Sequence, residues 1–248
     1  MSLSLEGMEF LPYAREIIAQ EDAALAALAR GSKKVSGTLR FASSSTFAQL
    51  FIVPILPKFT DKYPQINLEL KLSDTQMNLI DGGYDLALRN YPAEDGSLIR
   101  RKLADDTRIL CVSPDYLKKH GIPKEPSDLE QHQLILFDSN KTRKLVSTAA
   151  GDSYAFPLHP VKSRVICDDG SSIRIAAKAG LGICMSSIWN VHTELKEGSL
   201  IRVLLDYKYD DNAAVWLVYP KSNVLTAKVR VFIDFLIENI QVPTTWHT

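Results

Sequence analysis

Residues 37–72 read GTLRFASSSTFAQLFIVPILPKFTDKYPQINLELKL, and the change of period inside this stretch decides the fold. Leu39 and Phe41 alternate with polar neighbours, as in a half-buried strand. Ser43, Ser44 and Ser45 follow as N-cap candidates, and the apolar run from Phe47 to Phe59 has the length of a helix. Tyr63-Pro64 closes that helix, and Ile66, Leu68, Leu70 and Leu72 alternate again as a second strand. Beyond it, Thr75–Asp81 reads as a short helix ended by Gly82-Gly83, and Leu86–Leu88 as a short buried strand. Strands and helices alternating at this spacing build a parallel sheet covered by helices, an α/β fold.

Downstream the pattern restarts. Ile109–Val112 reads as a strand, Ser113-Pro114 opens a helix that runs to His120 with Gly121 beyond it, and Leu134–Phe137 is a strand preceded by a short polar helix. Arg143–Phe156 reads as a strand pair or an irregular lobe, and Val165–Cys167 as a strand. Asp168-Asp169-Gly170-Ser171 begins an Ala-rich helix over Ile173–Ala179, and Gly182–Met185 is a further strand. Val215–Tyr219 is a strand stopped by Pro220, after which Leu225, Val229, Phe232 and Leu236 line one face of a closing helix. Upstream, Phe10–Arg30 reads as one helix, with Leu11, Ala14, Ile18, Leu25 and Leu28 on alternating steps of three and four. Three heptads fit a dimer helix and a helix lying on a domain surface equally well.

Composition narrows the function. The 248 residues suffice for one large domain or two small ones, and 46% hydrophobic with 23% charged residues is ordinary for a folded globular chain. Lys plus Arg and Asp plus Glu both number 29. Without a basic excess these residues are not expected to hold nucleic acid or a membrane surface by themselves. Three cysteines without C-x-x-C spacing suit a reducing, cytoplasmic setting, with the thiols as small core residues. The longest apolar runs, such as Leu50–Leu56, fall far short of the roughly 18–20 residues of a membrane span. Residues 1–10 lack the features of a secretory signal.

Taken together, several segments resemble one family. Gly37-Thr38-Leu39-Arg40, then PILPKFTDKYP over Pro54–Pro64 and LKLSDTQMNLIDGGYDLALR over Leu70–Arg89, are similar to the opening of the effector-binding domain of LysR-type transcriptional regulators. The similarity continues through Ser113-Pro114-Asp115-Tyr116-Leu117 with His120-Gly121, through Ala179-Gly180-Leu181-Gly182-Ile183, and through the closing Trp216–Leu236. Arg89-Asn90-Tyr91 departs from the Arg-Ile-Gly common there, so the pocket wall is expected to differ. The resemblance implies a periplasmic-binding-protein-like fold (type 2) of two α/β subdomains joined by two crossover segments, with the effector in the cleft and an N-terminal linker helix. By that analogy residues 8–34 are the linker and dimerisation helix, residues 35–105 with 213–241 form subdomain I, and residues 106–212 form subdomain II. It also implies homodimerisation, and promoter DNA contacted through a winged helix-turn-helix ahead of the linker helix, absent from this chain.

The residues themselves suggest where an effector binds. Ser43, Ser44, Ser45 and Thr46 place four hydroxyls where a strand end meets a helix N-terminus, which suits a carboxylate or phosphate, although Ser44 or Ser45 also suffices as a plain cap. Ser73, Asp74 and Thr75 repeat that situation, with simple N-capping as the other reading. Asp168 and Asp169 hold the matching position in the second half; adjacent carboxylates on a strand end point to opposite sides, so one at most lines a cleft. Phe137 and Ser186 end their strands on the expected cleft side or pack in the core, and Arg89 either holds an anion or pairs with a structural carboxylate. The five histidines lack metal-ligand spacing, and no catalytic motif is present, so neither a metal, a cofactor nor an enzymatic reaction is expected. A ligand-sensing domain for a small effector, with a carboxylate as its expected polar group, is the resulting reading. The alternative is a free-standing solute-binding protein of the same fold.

Overall fold

The computed structural model describes residues 35–75, 83–90, 96–137, 142–157, 163–209, 213–221 and 225–240, with isolated positions between residues 4 and 21. The chain divides into two compact units, one formed by Met1–Ala104 with Val215–Gln241 and the other by Asp105–Ala214. Of the helix expected over Phe10–Arg30, the described positions Phe10, Leu11, Tyr13, Ala14, Ile17, Ile18 and Glu21 are helical; the remainder lies outside the described residues, as does most of the helix expected over Thr75–Asp81.

Strand β1 (Gly37–Ser43) leads into a helical stretch that changes pitch along its length. It runs through α1 (Ser45–Phe47), a π segment (Ala48–Ile52), a 3₁₀ turn (Val53–Ile55) and α2 (Leu56–Lys62). The sequence suggests one continuous helix, and the prolines explain the difference. Pro54 and Pro57 have no N–H to donate, and each ring crowds the carbonyl four residues back, so the ladder widens before Pro54 and tightens around it. The chain continues through β2 (Ile66–Leu72), β3 (Leu86–Arg89) and β4 (Leu98–Asp105).

The second unit opens with β5 (Arg108–Val112) and α3 (Pro114–His120), whose N-cap Ser113 accepts from the Tyr116 N–H at 3.3 Å. A 3₁₀ turn (Pro126–Gln131) precedes β6 (Leu134–Leu136), and β7 (Arg143–Ser147) and β8 (Ser153–Phe156) form the strand pair. Then come β9 (Ser163–Ile166), α4 (Gly170–Lys178), β10 (Ile183–Ser187), α5 (Ile188–Glu197), β11 (Ile201–Val203) and β12 (Tyr207–Tyr209). The sequence reading assigns no element between Ser186 and Val215, and α5, β11 and β12 fill that gap. Strand β13 (Ala214–Pro220) and helix α6 (Ala227–Asn239) return the chain to the first unit.

The sheet of the first unit has the order β2-β1-β3-β13-β4, with β1 parallel to both β2 and β3 and β13 antiparallel to β3. Its core is aromatic. Phe41 of β1 and Phe59 of α2 meet Phe232 of α6 edge-on, with ring centroids 5.3 and 4.9 Å away, and Phe235 lies 5.1 Å from Phe59. Such pairs add about 0.5–1.5 kcal/mol each beyond their burial. Phe47 and Phe59 are fully buried, so these two ends of the apolar 47–59 run serve this core and are not surplus surface.

The second unit carries a sheet of order β11-β5-β10-β6-β9 and a smaller one of order β12-β7-β8. Leu110, Val112, Leu117, Leu134, Leu136 and Ile183 lie at its centre. Gly182 precedes β10 because nothing larger fits: a Cβ there would stand 2.4 Å from the Gln133 carbonyl oxygen, which accepts the Ile183 N–H. Cys111 and Cys184 face each other across β5 and β10, with their sulfurs 3.6 Å apart and both side chains buried. The hydrogen bond to Cys184 and then burial push the Cys111 thiol well up, which keeps it protonated and unreactive. Where the chain enters this unit, Arg108 Nε lies 3.4 Å from Asp106 Oδ2, which also accepts from Ser187 Oγ at 3.0 Å, and the Asp106 N–H donates to the Ala213 carbonyl at 3.3 Å. Asp106 thus joins the entry of the unit to β10 through its carboxylate and to the leaving segment through its backbone N–H.

Candidate functional site

Strands β1 and β2 are parallel and in register to their last residues, Ser43 opposite Leu72. One more ladder bond, from Ser73 N–H to the Ser43 carbonyl at 3.0 Å, carries the pairing past the strand ends. The segments 44–46 and 73–75 therefore leave the sheet side by side at its carboxyl edge, where open α/β sheets place their ligands.

Three donors of the first segment converge on a single acceptor of the second. Ser44 Oγ donates to Asp74 Oδ1 at 2.8 Å, the Thr46 N–H donates to the same oxygen at 3.1 Å, and Thr46 Oγ1 donates to Asp74 Oδ2 at 2.5 Å. Ser44 is also the N-cap, its oxygen accepting the Phe47 N–H at 3.3 Å. Both readings of this serine hold in one geometry. The hydroxyl has one proton and two lone pairs, so it donates to Asp74 and accepts from the backbone at once. Ser43 Oγ donates to the Ser44 carbonyl at 3.2 Å, while Ser45 is half-buried. Ser43 and Thr46 are buried, which fixes the donor side. On the acceptor side Ser73 Oγ and Thr75 Oγ1 bond to each other at 2.7 Å, and the Thr75 N–H donates to Ser73 Oγ at 3.2 Å. Arg89 ends β3 opposite Trp216 and is half-buried, and desolvation pulls its guanidinium pKa down.

In the second unit the expected residues lie at the ends of three neighbouring strands, β10, β6 and β9. Asp169 is the N-cap of α4 and accepts the Ser172 N–H at 2.7 Å, while Asp168 is exposed. Burial, and the negative charges of Asp169 and Asp168, raise the pKa of the adjacent Cys167 thiol. Ser186 is buried in β10 and accepts from Asn190 Nδ2 at 3.0 Å; the same amide group donates to the Gly170 carbonyl at 3.1 Å. Asn190 thus joins Ser186 to the first residue of α4. Arg174 then holds α5 by donating to the Asn190 carbonyl at 3.0 Å and pairing with Glu194 at 3.6 Å. Phe137 follows β6, and the register of that strand beside β10 and β9 carries it to the same sheet edge as Ser186 and Cys167. It lines a cavity of about 30 Å³ together with Arg143, Phe156, Pro157 and Met185, a volume on the scale of a water molecule.

The sequence reading singled out neither Asn190 nor the Asp106–Arg108–Ser187 cluster. The available signals are slight: a polar residue inside the apolar turn Ile188–Val191, and two opposite charges with one residue between them at the start of a strand. Among the described residues no three His, Cys, Asp or Glu side chains are grouped as they would be around a metal ion, and no helix is long and apolar enough to cross a membrane.

Comparison with known proteins agrees with this architecture. Residues 32–241 match the LysR substrate binding domain family. An HTH-type transcriptional regulator of Haemophilus influenzae is 32% identical over 224 residues, covering 90% of this chain and 76% of its own. CrgA of Neisseria meningitidis, an HTH-type transcriptional regulator, is 30% identical over 240 residues, 97% of this chain and 79% of its own. The solved structure of CrgA superposes with a TM-score of 0.73 at 29% identity over 96% of this chain and 80% of that one. The regulatory domain of AphB from Vibrio vulnificus gives 0.68 at 28% identity over 82% and 99%. These relatives are regulators of transcription rather than enzymes. The chain accordingly belongs to the LysR-type transcriptional regulators, and residues 32–241 are their ligand-sensing, substrate-binding domain.

Proposed function

We propose that the sensed effector is a small carboxylate-bearing metabolite bound at the carboxyl ends of β1 and β2, with Ser44 and Thr46 as its principal hydrogen-bond partners. The observation that carries this reading is the convergence of two hydroxyls and a backbone N–H on one carboxylate at that edge. Donors preset for a carboxylate lower the ordering cost of binding one. Binding then acts by population shift: the effector favours whichever arrangement of the domain it contacts best, and that difference reaches the DNA-binding part of the regulator. Chains of this kind associate in pairs, and promoter DNA is held by the helix-turn-helix of the whole regulator.

A thermal-shift screen of metabolite acids, amino acids and aromatic acids tests the placement. A ligand at 100 times its dissociation constant stabilises by about 2.7 kcal/mol, so a hit raises Tm by about 5–10 °C. In the double variant Ser44→Ala, Thr46→Ala most of that rise is expected to vanish. A hit whose rise survives the double change places the effector elsewhere.

A further inference from the structure

We infer that Cys111 and Cys184 form a reversible disulfide when a hydroperoxide reaches the second unit, and that this bond stiffens the point where the chain enters that unit. The two residues stand directly opposite each other on the antiparallel strands β5 and β10, 73 positions apart in the chain, with their sulfurs 3.6 Å apart and both thiols free. Directly opposed residues on antiparallel strands have Cα atoms about 4.5–5.5 Å apart, within the range of about 4.4–6.8 Å that a disulfide spans. Rotation of the two side chains therefore brings the sulfurs to bonding distance without moving either strand. Cys167 is no rival. It follows β9, and β6 lies between β9 and β10, so two strand spacings of about 4.8 Å each separate it from the strand of Cys184.

Closed, the pair is silent, because both side chains are fully buried and Cys111 is held protonated. Reaction begins when the sheet opens locally. One thiolate then attacks an oxygen of the hydroperoxide O–O bond, which breaks to give a sulfenic acid and an alcohol, or water from hydrogen peroxide. On reclosure the facing thiol attacks the sulfenic sulfur: the S–O bond breaks, the S–S bond forms, and the departing hydroxide takes the thiol proton as water. In sum two thiols give two electrons and two protons to one hydroperoxide, and a dithiol reductant reverses the change. The two strands so joined also hold the entry of the chain. β5 begins at Arg108 and β10 ends at Ser187, whose Oγ donates to Asp106 at 3.0 Å, and the Ile188 N–H donates to the Thr107 carbonyl at 2.9 Å. Redox state is thus a second input to the sensing domain, separate from the effector.

Hydrogen peroxide is the probe, applied to the whole chain in native buffer, with the remaining thiols then alkylated in denaturant and the peptides mapped. A pair of peptides joined through Cys111 and Cys184 is expected, lighter by two hydrogens than the separate peptides and released by dithiothreitol. The joined pair should persist in Cys167→Ser and vanish in Cys111→Ala and Cys184→Ala. In the oxidised protein the Ile188 amide should exchange with deuterium several-fold more slowly than in the reduced protein. Should the alanine variants not fold, wild type and Cys167→Ser decide the matter by themselves. Peroxide that leaves Cys111 and Cys184 as thiols, a bond from Cys167 to either of them, or a joined pair with unchanged Ile188 exchange overturns the inference.

Discussion

His132 shows how one side chain imposes a pH dependence on the whole second unit. It is buried, Nδ1 has no hydrogen-bond partner among the described residues, and its ring lies 5.8 Å from that of Tyr116, on which His120 stacks at 4.3 Å. Burial lowers its pKa, the neighbouring His120 lowers it further, and Asp128 opposes them. The unfolded chain therefore takes up a proton near the ordinary histidine value of about 6.5, where the folded chain still refuses it. Stability is full above that pH and declines as the pH falls from about 6.5 towards the depressed folded value. Urea midpoints measured from pH 8 down to pH 5 should drop over the lower half of that range, and His132→Gln should flatten the drop. An unchanged slope in the variant would assign the dependence to another group.

At the scale of elements, α4 offers a clean measurement because one carboxylate closes its N-terminus. Asp169→Ala leaves the Ser172 N–H without its cap and should cost about 1 kcal/mol, or a Tm loss of about 2–4 °C, whereas Asp169→Asn should retain most of the stability. Equal melting of both variants and wild type would show the cap to be immaterial. This helix was legible in the sequence for the same reason that it can be tested: its signal is local. Strands β1 and β2 announce themselves by alternation, α3 by Ser113-Pro114 and Gly121, and α6 by its apolar face. Helix α5 gives no such sign, because Ile188, Trp189, Asn190 and Val191 are all buried and leave no polar face in the first turn to set a period. Its remaining markers, Ser187 before it and Gly198 after it, flank the helix without revealing it. Strands β11 and β12 are three residues each and exist through their partners β5 and β7. The candidate site divides likewise. Serines at a strand end are visible in the sequence, but that Asp74 meets Ser44 and Thr46 follows from the register Ser43 opposite Leu72, which no local pattern encodes. Asn190 is joined to Gly170 across twenty residues, a separation at which periodicity is silent.

For the molecule as a whole, the apolar residues that the first unit's core does not consume bear on assembly. Val53 is 42% exposed, and Phe51 and Ile55 on the same helical stretch are only half-buried. With Phe47, Ile52 and Phe59 buried in the core, these three and the half-buried Leu50 and Leu56 are the part of the run left for a second copy. We expect the chain lacking residues 1–34 to remain a dimer at micromolar concentration, with a light-scattering mass of twice that of its own chain, and Val53→Asp to convert it to monomer. A monomeric truncated chain would place association in the preceding helix. The threading of the chain carries a further consequence, one for synthesis. Strand β13 sits between β3 and β4, and α6 supplies the phenylalanines that cover Phe41 and Phe59, so the first unit lacks its inner strand and its lid of aromatic rings until residues 214–239 leave the ribosome. The second unit draws its described strands and helices from one uninterrupted run and waits for nothing later. Translation thus begins one unit, completes the other inside it, and only then returns to close the first, leaving an open sheet edge for chaperones to guard in the meantime.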